Sequence, residues 1–423
     1  MGSPGKHILI IVENLPVPFD KRVWNEATAL TRAGYKVSII SPVGKGSEKR
    51  REEIDGISIY RHPLPGEGNG ALGYLVEYSA ALFWELVLAT RVYFTTGFDA
   101  IHACNPPDTI FLIGMLFKLL GKKFVFDHHD INPELFIAKF GKKGALYRLV
   151  TLLERLTFMT ADISIATNES YKEIAVTRGH MDPGRVFIVR SGPNLKRFHA
   201  VPPQENLKEG RRHLVGYVGV MGKQEGLNYL LDAVQVIVKE HGRKDILFVV
   251  IGSGTEYEEI RKYAATLGVG AHVRFTDRIP DAELIAYLST ADVCVNPDVA
   301  NEMNDKSTMN KIMEYMALGK PIVQFDLTEG RRSALDASLY ARKNDPVDFA
   351  DKILELLDDA ARRRRMGIYG KERVENCLAW EYSERVLCEA YGFLFHINTD
   401  KDSGTHISAS SPTPGTLNLK RIT

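Results

Sequence analysis

The run Phe126-Asp127-His128-His129-Asp130-Ile131-Asn132-Pro133-Glu134 sets four adjacent titratable side chains directly after the apolar run Lys123–Phe126. Imidazoles and carboxylates at the carboxyl end of a strand can hydrogen-bond to a bound substrate or exchange protons with it. A polar loop whose Asp130 or Asn132 caps the next helix has the same composition, so the cluster alone does not decide between the two. Consecutive side chains of an extended segment point to opposite sides. Only one of the two imidazoles can therefore face a crevice, and the other is left to pack in its own domain or face solvent.

Two further segments suit phosphate and ribose. Gly216-Tyr217-Val218-Gly219-Val220-Met221-Gly222-Lys223-Gln224-Glu225-Gly226 runs from a strand towards a helix. Gly219 and Gly222 let the backbone approach a phosphate, the helix start offers unpaired N–H groups, and Lys223 adds a charge. Gly252-Ser253-Gly254 is a similar turn, and both also occur without ligands. In residues 301–323, Lys311 to Leu318 reads as a helix with Ile312, Met313 and Met316 on its buried face and Gly319 as its stop. Lys306, Ser307 and Thr308 crowd its N-terminal side, where a diphosphate is best held. Glu314, further along, could present a bidentate acceptor to a ribose diol, although most helical glutamates are simply solvated.

The elements that position these residues alternate between strand and helix. Strands are expected at His7–Val12, Val37–Ile40, Ala100–His102, Lys123–Phe126, Asp162–Ala166 and Val186–Val189, with helices at Arg22–Arg32 and Ile110–Leu120. A second alternation begins at Leu214–Val218 and continues through Ile246–Ile251, Val273–Phe275, Val293–Val295 and Ile322–Gln324. Strands that are apolar on both faces imply a parallel sheet covered on both sides. The expected organisation is α/β twice: residues 1–198, a linker over 199–210, and a second domain over 211–385. Residues 386–399 end a helix that crosses back to the first domain. Residues 400–423 read as a flexible tail, which makes its Asp400-Lys401-Asp402 an accidental match to a metal-binding DxD.

The chain has 423 residues, too many for one core. Its 54 basic and 53 acidic side chains leave a net charge of +1, which gives no general reason to expect nucleic acid as a partner. Cys104, Cys294, Cys377 and Cys388 form no CxxC pair, so neither a metal site nor a disulfide framework is indicated. The apolar run after His7 is too short for a signal peptide's core, and no stretch is long enough to span a membrane. A cytoplasmic location follows as the expectation. Segments 72–93 and 135–158 mix aromatic and aliphatic residues, and the second adds Lys139, Lys142, Lys143, Arg148 and Arg155. That composition suits the inner face of an anionic membrane and equally suits ordinary amphipathic helices packed on the sheet.

Taken in order, these segments resemble retaining glycosyltransferases of family four, which have the GT-B fold. Glu314 with Ala317-Leu318-Gly319-Lys320-Pro321 looks like that family's donor-binding signature, and Asp127-His128-His129-Asp130 like its strand-end histidine motif. Arg190-Ser191-Gly192-Pro193-Asn194 is similar to the segment that closes its first domain, and Trp380-Glu381-Tyr382 to its returning helix. The resemblance implies two Rossmann-like domains facing across a cleft. It also implies a nucleoside diphosphate sugar donor, expected to be a UDP-sugar, and a glycan or lipid-linked glycan as hydroxyl acceptor. Transfer would occur with retention and without metal or cofactor. His129 and Asp130 would then serve the sugar. Gly219, Gly222, Lys223, Lys306, Ser307 and Thr308 would serve the diphosphate, Glu314 the ribose, and Arg278-Ile279 the base. Two places depart from the family's pattern: Lys306 stands where a first glutamate is usual, and Val220 and Glu225 stand where Arg and Lys are usual. Lys223 and Lys306 are the expected replacements for that lost charge. A nucleotide-sugar epimerase or hydrolase of the same fold, using Asp127, Asp130 or Asp305, is a second reading, and a non-catalytic nucleotide-sugar-binding subunit a third.

Overall fold

In β1 (His7–Ile11) every residue is buried, and the same holds for β5 (Ala100–Cys104) and β7 (Ile163–Ala166). Strands buried on both faces need helices on both sides, and a parallel sheet provides that. The computed structural model of the protein describes residues 5–63 and 70–396. The tail from residue 400, with its Asp-Lys-Asp, lies outside the described residues.

The first sheet also contains β2 (Lys36–Pro42), β3 (Arg51–Ile54), β4 (Ile57–His62), β6 (Lys123–His128) and β8 (Val186–Ile188). Its order is β3-β4-β2-β1-β5-β6-β7-β8, parallel except for β3. Helices α1 (Lys21–Arg32), α2 (Gly70–Thr95), α3 (Phe111–Leu119), α4 (Asn132–Phe140), α5 (Ala145–Thr160) and α6 (Glu169–Thr177) connect it. The β3–β4 hairpin was not among the expected strands, because Arg51-Glu52-Glu53 has no apolar face. Its turn, Asp55-Gly56, has positive φ at both residues, 50° and 78°, which is the two-residue hairpin geometry that Asp-Gly favours.

The second sheet runs β11-β10-β9-β12-β13-β14. Its strands are β9 (His213–Val218), β10 (Ile246–Ile251), β11 (Val273–Phe275), β12 (Val293–Asn296), β13 (Ile322–Phe325) and β14 (Ser338–Ala341), all parallel. Its helices are α7 (Leu227–Gln235), α8 (Tyr257–Thr266), α9 (Asp281–Thr290), α10 (Glu302–Lys306), α11 (Asn310–Ala317), α12 (Thr328–Ala334), α13 (Pro346–Asp358) and α14 (Ala360–Arg373). In each sheet the chain order reverses beside the first strand, between β1 and β5 and between β9 and β12. Ligands of open α/β sheets bind beyond the carboxyl ends of strands at such switch points.

The segment expected as a linker, residues 199–210, lies against the second domain. Phe198 belongs to the second domain's core, and the Val201 and Gln204 N–H groups donate to Ser289 Oγ and Thr290 Oγ1. The return to the first domain starts before residue 386. The Trp380 N–H donates to the Pro193 carbonyl, and a Cβ on Gly192 would lie 2.1 Å from the Leu378 carbonyl oxygen. From there α15 (Trp380–His396) buries Leu387, Ala390, Tyr391 and Leu394 in the core beneath α1.

Candidate functional site

Alternation along β6 sorts the strand-end cluster. Phe124, Phe126 and His128 face the layer of α2, α3 and α5, where the buried His128 ring packs against Phe126, Phe158 and Tyr171. Val125 and Asp127 face the opposite layer, and Asp127 is completely buried. There the Arg22 guanidinium of α1 binds its carboxylate at 2.7 Å and reaches Glu26 at 3.1 Å, while His102 Nε2 lies 3.2 Å from Asp127 Oδ2. The Tyr391 hydroxyl of α15 closes the network on His102 Nδ1 at 2.8 Å.

His129, past the strand's end, turns its Nε2 back onto Asp127. The Asn105 side-chain oxygen accepts from the N–H groups of His129 and Asp130 at 2.7 and 3.1 Å and fixes the loop. The His129 side chain stays 15% exposed, and Nδ1 is the nitrogen left for a ligand. It accepts from a hydroxyl when the ring is neutral and donates when the ring is protonated. Burial alone would lower the His129 pKa, but the Asp127 carboxylate outweighs it and raises the pKa. His102 behaves likewise: burial lowers its pKa, and the bonds to Asp127 and Glu26 bring it up to about 9. Asp127 is held well below the usual carboxylate range, because Arg22 and His129 overcome its burial. Burial raises the Asp130 pKa, against the pull of His129.

Ligand atoms of His102, Cys104 and Asp127, and of Glu26, Asp127 and His129, lie close enough together to hold an ion. Neither set fits one. The Arg22 guanidinium already sits on Asp127 and Glu26, and burial raises the Cys104 pKa well above its usual value, so the thiol stays protonated.

In the second domain the loop after β9 bends through Gly226, whose φ is +62° and where a Cβ would lie 2.0 Å from the Pro297 carbonyl oxygen. The space around Gly222 is open, with nothing within 4 Å of a Cβ built there. Gly219 is different: its missing Cβ makes room for the Tyr217 hydroxyl, 2.4 Å from where that atom would be. Lys223 is exposed and has no ion-pair partner among the described residues. Glu225, where the family pattern has a lysine, accepts from the Tyr217 hydroxyl at 2.8 Å and from the buried amine of Lys311. Lys311 also bonds to Asp298 at 2.9 Å and lies 4.9 Å from the Tyr217 ring centre. A charge reversed at 225 is thus balanced by a lysine on the first turn of α11. Sequence reasoning missed Lys311 because it stands 86 positions from its partner.

Glu314 lies in the second turn of α11. The neighbouring Tyr315 anchors that helix: its hydroxyl accepts from the Val218 N–H at 2.9 Å and donates to the Val295 carbonyl. The Glu314 carboxylate has no hydrogen-bond partner among the described residues, and burial pushes its pKa up to about 7, against Arg197 and Lys311. It is a half-buried group, not the fully solvated helical glutamate.

Three expected diphosphate ligands are placed otherwise. Lys306 donates to Glu134 of α4 at 2.8 Å and to Glu302 at 3.1 Å, so its charge is engaged. Ser307 Oγ donates to the Met303 carbonyl and lies 3.3 Å from the Tyr171 hydroxyl. Thr308 Oγ1 accepts from Asn168 of the first domain at 2.9 Å. Together they form a seam between the domains, and this corrects the expected clamp. Asp130 lies near that seam, because its charge is among the causes that raise the Tyr171 pKa. Arg278, expected to meet the base, lies over the Phe19 ring of the first domain at 5.7 Å, and Ile279 packs on the second core. With Lys223 in the diphosphate role that the resemblance implies, Lys223→Ala is expected to lower turnover by about 10- to 150-fold, the range for one lost charge-assisted hydrogen bond. Lys306→Ala should cost no more than about 1 kcal/mol of stability and leave turnover less affected, since Arg178 still holds Glu134. Steady-state kinetics and thermal melts of both variants measure this.

Residues 20–192 match the family described as Glycosyl transferase 4-like domain, and residues 212–359 match Glycosyl transferases group 1. The chain is built as a GT-B glycosyltransferase. It is 24% identical over 415 residues to spore coat protein SA of Bacillus subtilis, covering 91% of this chain and 99% of that one. It is 25% identical over 246 residues to D-inositol 3-phosphate glycosyltransferase of Corynebacterium diphtheriae, covering 55% of this chain and 56% of that relative, about half its length. Sucrose-phosphate synthase from Thermosynechococcus elongatus superposes with a TM-score of 0.73 at 20% identity, covering 93% of this chain and all of that one. That likeness carries the fold.

Proposed function

We propose that the protein transfers a sugar from a nucleoside diphosphate sugar, with a UDP-sugar as the expected donor, to a hydroxyl of a glycan or lipid-linked glycan. The anomeric configuration is retained and no metal takes part. The observation that carries this reading is the unbonded, half-buried Glu314 carboxylate on α11, a helix anchored beside the β9–β12 switch point. In this reading the ribose diol donates to Glu314, and Lys223 with the first N–H groups of α11 stabilises the departing diphosphate. His129 Nδ1 meets the sugar from the other domain. A charged group aimed where negative charge grows lowers the barrier more than it tightens donor binding.

The epimerase and hydrolase reading has less support. It needs a free carboxylate, and Arg22 holds Asp127 while Thr328 and Lys343 hold Asp305 at 2.8 and 3.0 Å, which leaves Asp130 alone of the three for that role.

Glu314→Ala is expected to weaken nucleoside diphosphate binding by about 1.5–3 kcal/mol with the fold intact. Ribose binding favours the ionised carboxylate, so binding near pH 7 should release a proton. Affinity should fall as pH drops below about 7 and the group takes up its proton. Calorimetry in buffers of different ionisation enthalpy measures this. Unchanged affinity and no proton release in the comparison would return Glu314 to a structural role.

A further inference from the structure

Two thirds of the large apolar side chains left exposed among the described residues lie between Val76 and Met159, a fifth of the chain. Such crowding on one layer is not the scatter of a monomer's surface. The helices concerned cover a single sheet face, since Ala89 and Val92 of α2, Ile113 and Phe117 of α3 and Phe158 of α5 share one core cluster. Tyr93 of α2 packs on Phe117 of α3, and Lys118 of α3 donates to the Thr160 carbonyl at the end of α5, so their outer faces are contiguous.

Each helix carries its outward apolar residues at helical spacing. On α2 these are Phe83, Val87 and Phe94, on α3 Leu112, Leu116 and Leu119, and on α5 Leu152 and Met159. Leu119 is 82% exposed and Phe94 is 79% exposed. Cations share the stripes: Arg91 stands between Val87 and Phe94, and Arg148 and Arg155 flank Leu152, while Lys142 and Lys143 occupy the α4–α5 turn. The acids Glu85, Glu134 and Glu154 of the same helices are buried, leaving only Glu77 partly exposed. Between α4 and α5 a cavity of about 220 Å³ is walled by Leu135, Phe136, Leu149 and Leu153.

We propose that the outer face of α2, α3 and α5 docks on an anionic lipid bilayer. It would lie in the interface, since no helix among the described residues is long and apolar enough to cross a membrane. An apolar face studded with cations and almost free of exposed acids is complementary to anionic headgroups. A second copy of the chain would instead bring cations against cations.

The test is flotation of the full chain with vesicles of phosphatidylcholine, and of phosphatidylcholine and phosphatidylglycerol at 7:3. The protein should float with the mixed vesicles, and less so as salt rises. Lys142→Glu, Lys143→Glu and Arg148→Glu together should weaken binding at least 100-fold, from roughly fivefold per charge. Phe94→Ser, Leu116→Ser and Leu119→Ser together should weaken it at least tenfold, with melting and nucleoside diphosphate binding unchanged because all three sites are exposed. Absence of flotation with the mixed vesicles, or flotation of both triple variants equal to that of the wild type, would overturn the proposal. So would a dimer by light scattering that the serine variant dissolves.

Discussion

Asp127→Ala is expected to destabilise the protein by about 3–5 kcal/mol. Its carboxylate is fully buried and is shared by Arg22, His102 and His129. Removing it leaves the buried Arg22 guanidinium with Glu26 as its one remaining ionic partner among the described residues, and breaking a buried ion pair by removing one member costs that much. The conservative Asp127→Asn keeps the volume and should cost less, yet it loses the charge that raises both imidazole pKa values. The sign follows from those shifts. A histidine whose folded pKa is raised contributes stability that is fully present below its unfolded pKa of 6.5 and is lost as pH rises through the folded value. For His102 that window runs from 6.5 to about 9. Chemical denaturation at pH 6 and pH 9 should show this loss in the wild type and a smaller one in Asp127→Asn. An equal loss in both would mean that the network does not hold His102 protonated.

His129→Ala is expected to lower kcat for sugar transfer by about 10²–10³, as removing a positioned hydrogen-bonding group at a reacting centre does. Nucleoside diphosphate affinity should change less than about twofold, since the proposed function assigns the nucleotide to the other domain. His128→Ala removes a buried ring packed against three aromatic side chains. It should therefore act through stability, by about 2–4 kcal/mol on the scale of large-to-small core changes. Asp127 joins the two expectations, because it holds the His129 ring through Nε2 and so leaves Nδ1 for the proposed contact with the sugar. Kinetics with melts for both variants measures the contrast. The reverse pattern would mean that the side chains of β6 are read in the wrong register.

What was legible in the sequence follows from local signals. The period-2 rule separated His128 from His129, and the apolar spacing of α11 and α15 placed both helices. Apolar runs located the strands that are buried on both faces. The β3–β4 hairpin escaped because its outer strand is charged, although Asp55-Gly56 marked the turn. The larger misses are long-range pairings. Lys306 looked free beside a helix start, but its partner Glu134 is 172 positions away in the other domain. Glu225 looked like a gap in a phosphate clamp until Lys311 was seen against it. Arg22 carries no motif at all, and only the packing of α1 beside β6 brings it to Asp127. Local patterning fixes which elements form, whereas charge pairing across domains depends on where the elements come to rest.

In the proposed function the second domain holds a nucleoside diphosphate through Glu314 while the first supplies His129 to the sugar. Titration of UDP into the wild type, Glu314→Ala and His129→Ala by calorimetry tests it most directly. Saturable binding is expected for the wild type, with affinity within about twofold of it for His129→Ala and a loss of at least about tenfold for Glu314→Ala. UDP binding that survives Glu314→Ala unchanged, or that is lost equally in His129→Ala, would contradict it.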